Sequence, residues 1–159
     1  MKRPQKGFSL IELLIVVAII LIIAAIAIPN LLRARMQANE ASAASSIHAI
    51  NTAEISYSTT FSGIGYSVAL ADLGDGGTSP CPGTATASCY LDTSLASGTK
   101  SGYTFTYTQD STSTPSLHYT VIVDPVSRGT TGQRSFYSSD SNLTRYNTGI
   151  TASSTDSPL

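Results

Sequence analysis

Glu12 is a carboxylate in an apolar setting. Between positions 8 and 28, only Ser9 and Glu12 interrupt a run of Phe, Ile, Leu, Val and Ala. An ionised side chain inside a membrane helix costs roughly 3 kcal/mol on insertion scales, so it has either a partner or a place among solvated headgroups. The chemistry on offer is ion pairing rather than bond breaking. Other reactive residues are sparse and scattered. His48 and His118 are the only histidines, one in a helical stretch and one beside Tyr119 in a strand. Each reads as a surface or edge residue. The serines lack the Gly-x-Ser-x-Gly setting of a nucleophile elbow. Asp72, Asp75 and Asp92 lie in loop sequence, and their spacing fits no calcium loop. No catalytic residue, metal ligand set or cofactor is expected.

The elements that position Glu12 are easily located. Residues 13–28 contain no polar side chain. The 21 residues from 8 to 28 would extend about 30 Å as a helix, which matches a bilayer core. The stretch is apolar on every side, so it has no amphipathic stripe. A cleaved secretory signal would be shorter and end at an Ala-x-Ala-like site. A plain membrane anchor explains the length but not Glu12. Lys2, Arg3 and Lys6, three of nine basic residues, crowd just ahead of this stretch. That arrangement holds the N-terminus on the cytoplasmic side.

Beyond it, the chain of 159 residues has room for one modest globular domain. Charged residues make up 12% of the chain and its net charge is −1. This low charge density gives no sign of a nucleic-acid partner. Residues 30–61 read as an amphipathic helix without Gly or Pro. Ala43, Ile47, Ile50, Glu54, Tyr57 and Phe61 recur at spacings of three and four. Glu54 is expected at the edge of that stripe. Gln37, Glu40, Ser45 and Asn51 should form the opposite, polar face. Tyr57 and Phe61 are accounted for as core. Arg33 and Arg35 fall just outside the apolar layer, facing lipid headgroups, acidic neighbours or solvent.

Residues 62–101 are a loop region, with a short helical turn expected near residues 68–73. Cys81 and Cys89 form an even pair within it; in an exported domain a disulfide is the natural reading, the other being two free thiols. Residues 102–147 alternate with period two in three or four stretches, giving a small antiparallel sheet. Leu117, Tyr119, Val121 and Val123 should share one face of its second strand. Residues 148–159 read as a polar, exposed or disordered tail. Asn142-Leu143-Thr144 matches a glycosylation tripeptide that is common by chance. The fold class is α+β: a long N-terminal helix packed on a sheet of three or four strands.

Lys6-Gly7-Phe8-Ser9-Leu10-Ile11-Glu12 resembles the processing site of the type IV pilin superfamily, which includes type II secretion pseudopilins. The resemblance extends to about Arg35, and Pro29 falls where many members carry a proline. It implies that residues 1–7 are a leader, that a prepilin peptidase cuts between Gly7 and Phe8, and that Phe8 is then N-methylated. It also implies that residues 8–29 form the polymerisation helix, that Glu12 sets subunit register, and that Pro29 kinks or loosens the helix. In many type IVa pilins the disulfide clips a C-terminal loop, which Cys81–Cys89 would not. Implied partners are membrane lipid, an inner-membrane assembly platform and identical or related subunits. Three roles are compatible with these residues: a pilus subunit, a secretion pseudopilin, or a tethered adhesion module that never polymerises.

Overall fold

A computed structural model describes residues 8–159. The chain divides into two compact units, residues 1–35 and 36–159. Helix α1 runs Leu10–Thr60. Pro29 lies inside it and helix continues on both sides. The ring removes one amide donor, which leaves the Ala25 carbonyl without its usual partner. One residue on, the Asn30 side-chain amide donates to the Ile26 carbonyl at 3.1 Å.

In the second unit, α1 packs on a six-stranded antiparallel sheet. The strands are β1 (Thr99–Lys100), β2 (Tyr103–Gln109), β3 (Tyr119–Pro125), β4 (Ser135–Ser139), β5 (Arg145–Asn147) and β6 (Ser157–Pro158). They lie side by side in chain order. The sheet therefore has two more strands than the upper expectation of four. Both additions are two-residue edge strands, too short to show a period. β1 lies within the stretch read as loop. β6 lies within the stretch read as tail, so the tail is ordered: the Leu159 amide donates to the Thr144 carbonyl at 2.9 Å, next to the pairing of Arg145 with Pro158.

Alternation decides which side chains form the core. Along β2, Tyr103 and Phe105 are buried while Thr104 and Thr106 are exposed. The register sets Phe105 opposite Val123 and Val123 opposite Phe136. Their buried faces meet Ala43, Ile47, Ile50, Ala53 and Tyr57 of α1. Leu117 does not join them. It precedes β3 and is exposed, because pairing begins only at Tyr119. Before the sheet, a 3₁₀ turn (Leu70–Leu73) and helix α2 (Thr93–Ala96) bury Leu70, Leu73 and Leu95 against the same core. The connection after α1 closes on the sheet at Gly65. Its backbone lies so near Ser116 that a β-carbon would collide, and its φ of +83° suits glycine alone.

Burial along α1 departs from the expected pattern at three polar residues. Glu40, Asn51 and Glu54 are all buried. Glu40 and Glu54 are the only charged residues between positions 36 and 60. The outward stripe through Ala38, Ala41, Ser45, His48, Thr52 and Ile55 therefore carries no carboxylate, lysine or arginine.

Candidate functional site

At the start of α1, Phe8 and every large apolar residue through Leu32 is broadly exposed. Phe8 has 78% of its surface open. This part of the helix is long and apolar enough to cross a membrane, and none of it is buried in the protein. Left in water, so much apolar area would drive association, at about 25 cal/mol per Å² covered.

Glu12 sits on the first turn. Its carboxylate accepts the backbone N–H of Ser9 at 3.1 Å. Ser9 precedes the helix, and Glu12 occupies its third position. The contact is one half of a capping box, in which an acid reaches back to a donor that the helix leaves unpaired. The Ser-x-x-Glu spacing made this bond readable from the sequence, although hydropathy alone hid it. Gly7 and the basic leader lie outside the described residues, so Phe8 alone represents the expected cleavage pair here.

The remaining candidates serve the globular unit. Cys81 and Cys89 are joined in a disulfide, with Cα atoms 6.3 Å apart. Asp72 accepts from the Ala69 amide, Asp75 from the Gly77 amide, and Asp92 from the Leu95 amide and Lys100. These three carboxylates thus cap their own local turns, and no cluster of three or more potential metal ligands occurs among the described residues. His118 lies 3.1 Å from Asp140 on the surface, and His48 is exposed on α1. Asn142 is exposed in the turn after β4, whereas Thr144, two residues on, is buried and its hydroxyl has no partner.

Two buried acids on α1 anchor distant chain to the helix. Glu40 accepts the amides of Gln133 and Arg134 and the Arg134 guanidinium, the last at 2.8 Å. Burial alone would raise this carboxyl, but those donors outweigh it and hold the group below the usual range. Arg134 also lies over the rings of Phe136 and Tyr146. Glu54 has no cation nearby. Burial raises its carboxyl, although Ser67 donates to it through both its amide and its hydroxyl. Asn51 links Tyr119 to Ser138 across the same interface.

Comparison with known proteins matches the first of these regions. Residues 2–28 match the family model of the prokaryotic N-terminal methylation motif. The chain is similar to the type IV wide pilus major component PilA4 of Thermus thermophilus, with 68% identity over 38 residues, which is 24% of this chain and 29% of that protein. It is also similar to the type IV major pilin protein PilA of Myxococcus xanthus, with 48% identity over 53 residues, 33% of this chain and 24% of that one. The chain thus spans 24–29% of the length of the curated relatives it matches. No solved structure matches it significantly. Residues 2–28 thus carry the match to the prokaryotic N-terminal methylation motif, and within its described part Glu12 caps the first turn of α1 just after Phe8.

Proposed function

We propose that this chain is the precursor of a structural subunit of a type IV pilus-like filament. The observation that carries the reading is the exposed apolar first half of α1, joined directly to a methylation motif. The relatives named above are pilus components, which favours a pilus over a secretion pseudopilus.

The physical sequence is as follows. Before processing, Lys2, Arg3 and Lys6 hold the N-terminus at the cytoplasmic face while the apolar helix crosses the inner membrane. A prepilin peptidase hydrolyses the Gly7–Phe8 bond. Glycine leaves the scissile peptide open to approach. Loss of the leader removes three cations, and the new Phe8 amine receives a methyl group. The helix can then leave the bilayer lengthwise, because no cationic side chain remains before Arg33.

In the filament, that amine is charged near neutrality, its reference pKa being about 8. It requires a counter-charge among apolar neighbours, and Glu12 of an adjacent subunit supplies it. Buried ion pairs add little net stability, but they penalise misregistered packing. Glu12 leaves its Ser9 amide or shares it to make this contact. Pro29 supplies the point where the helix bends or loosens during extraction. The contacts are heterologous and do not close, so they generate a fibre.

Mass spectrometry of sheared surface filaments tests the reading. The expected product begins at a methylated Phe8. A surface product that retains residues 1–7 would exclude it.

A further inference from the structure

Arg33 and Arg35 are basic residues for which the fold supplies no use. Neither takes part in a hydrogen bond or ion pair among the described residues, and both are exposed. The other described cations are engaged. Lys100, Arg128 and Arg134 sit on carboxylates, and Arg145 donates to the Asp156 carbonyl at 2.6 Å. On α1 itself, no acid lies three or four residues from either arginine, so no intrahelical pair forms.

The anions of the second unit are likewise engaged. Every carboxylate from Glu40 to Asp156 already accepts a hydrogen bond within the second unit. A neighbouring copy would have to offer these arginines a carboxylate that already serves its own fold, at the cost of competing with that partner. An anion from outside the protein meets no such cost.

Depth along the helix points to its source. Arg33 comes five residues after Ile28, about 7.5 Å further along a helix rising about 1.5 Å per residue. If residues 8–28 fill the hydrocarbon core, the polar layer beyond is roughly 5–8 Å thick. The Arg33 guanidinium therefore falls at the level of the lipid phosphates, and that of Arg35, about 3 Å further along the axis, reaches back to it because helical side chains point toward the N-terminus. Leu31 and Leu32, both exposed, occupy the boundary just beneath. Guanidinium binds phosphate through paired N–H donors, which makes arginine well suited to this layer.

We propose that Arg33 and Arg35 form a binding site for anionic phospholipid headgroups on the membrane face away from the leader, and that this site fixes the depth of the subunit before polymerisation. The proposal rests on the membrane-spanning reading of residues 8–28. With the leader gone, these arginines are the only cationic side chains flanking the span, so the headgroup grip then lies wholly at the exit face.

The full chain is reconstituted in phosphatidylcholine bilayers containing spin-labelled phosphatidylglycerol or spin-labelled phosphatidylcholine, and relative lipid association is measured. Membrane insertion is scored separately by resistance to alkaline extraction. The wild type should prefer the anionic lipid. R33Q/R35Q should lose roughly fivefold in that preference per arginine removed while inserting normally, and R33K/R35K should retain most of it. Leader cations are present in every variant, so the difference reads the two arginines alone. Excess glycerol phosphate should leave the preference intact; its abolition would assign the site to free phosphate and overturn the lipid assignment. Normal insertion with equal selectivity in wild type and R33Q/R35Q would overturn the proposal, as would filament loss in R33Q/R35Q with selectivity unchanged, which would assign the pair to a subunit contact. Failure of the wild type to insert would instead remove the membrane reading beneath it.

Discussion

The Glu54 carboxylate of α1 takes both donors of Ser67, the amide at 3.0 Å and the hydroxyl beside it, in a site with no exposed surface. Tyr107 and Tyr119 crowd the same pocket, and burial raises both phenols. Because the carboxyl is raised in the fold, the protonated form is favoured there. Its contribution to stability is complete below its unfolded value of about 4.5 and is lost as pH rises through the folded value. Glu54→Gln should therefore flatten this part of the pH–stability curve in denaturant melts. Glu54→Ala should cost roughly 1–3 kcal/mol in acid, because the Ser67 donors stay buried without an acceptor, and less as pH rises through the folded value. Equal slopes for wild type and Glu54→Gln would contradict this account.

Glu40, on the same helix, should behave in the opposite sense. Its carboxyl is held low by Gln133 and Arg134, so its stabilisation is present above about 4.5 and fades as pH falls through the folded value. Glu40→Gln should cost about 1–2 kcal/mol near neutrality and almost nothing in acid. Chemical denaturation at two pH values checks both halves. A loss that is as large in acid as at neutrality would show that packing, not charge, is responsible.

The disulfide closes a short loop, with the two cysteines eight positions apart. Loop-closure entropy for such a ring is worth about 2–3 kcal/mol. C81A/C89A should lose stability of that order in denaturant titrations, and reduction of the wild type should bring the two curves together. Coincident midpoints for oxidised and reduced wild type would remove the cross-link from the stability of the domain.

Glu12→Ala should leave insertion intact, since removal of the carboxylate relieves roughly 3 kcal/mol of insertion cost. Filament yield should nevertheless fall at least tenfold, because the Phe8 amine loses its counter-charge. Quantifying sheared filaments against membrane-extracted subunit separates the two effects. Undiminished yield would end the register role of Glu12.

Patterns that repeat along the chain were legible in the sequence. The apolar first half of α1 reads from composition, and Tyr103, Phe105, Tyr119, Val121 and Val123 read from alternation. What stayed hidden depends on contacts between distant positions. Helix periodicity assigns Glu40 and Asn51 to a polar face because it cannot anticipate Arg134 or Ser138, about ninety residues later, arriving as partners. Glu54 escaped for the same reason, its partner Ser67 standing in an irregular segment. β1 and β6 escaped because two residues cannot display a period. At the N-terminus, the motif marked Phe8 and Glu12, while the Ser9 amide needed capping geometry to be noticed.

The placement of acids inward on α1 has one further consequence. Since Glu40 and Glu54 point into the domain, the outward strip from Ala38 to Ile55 exposes short neutral side chains along with His48. Dissolved ions have little there to screen. Any contact made through that strip would therefore be nearly indifferent to ionic strength, whereas the headgroup grip of Arg33 and Arg35 would weaken in brine.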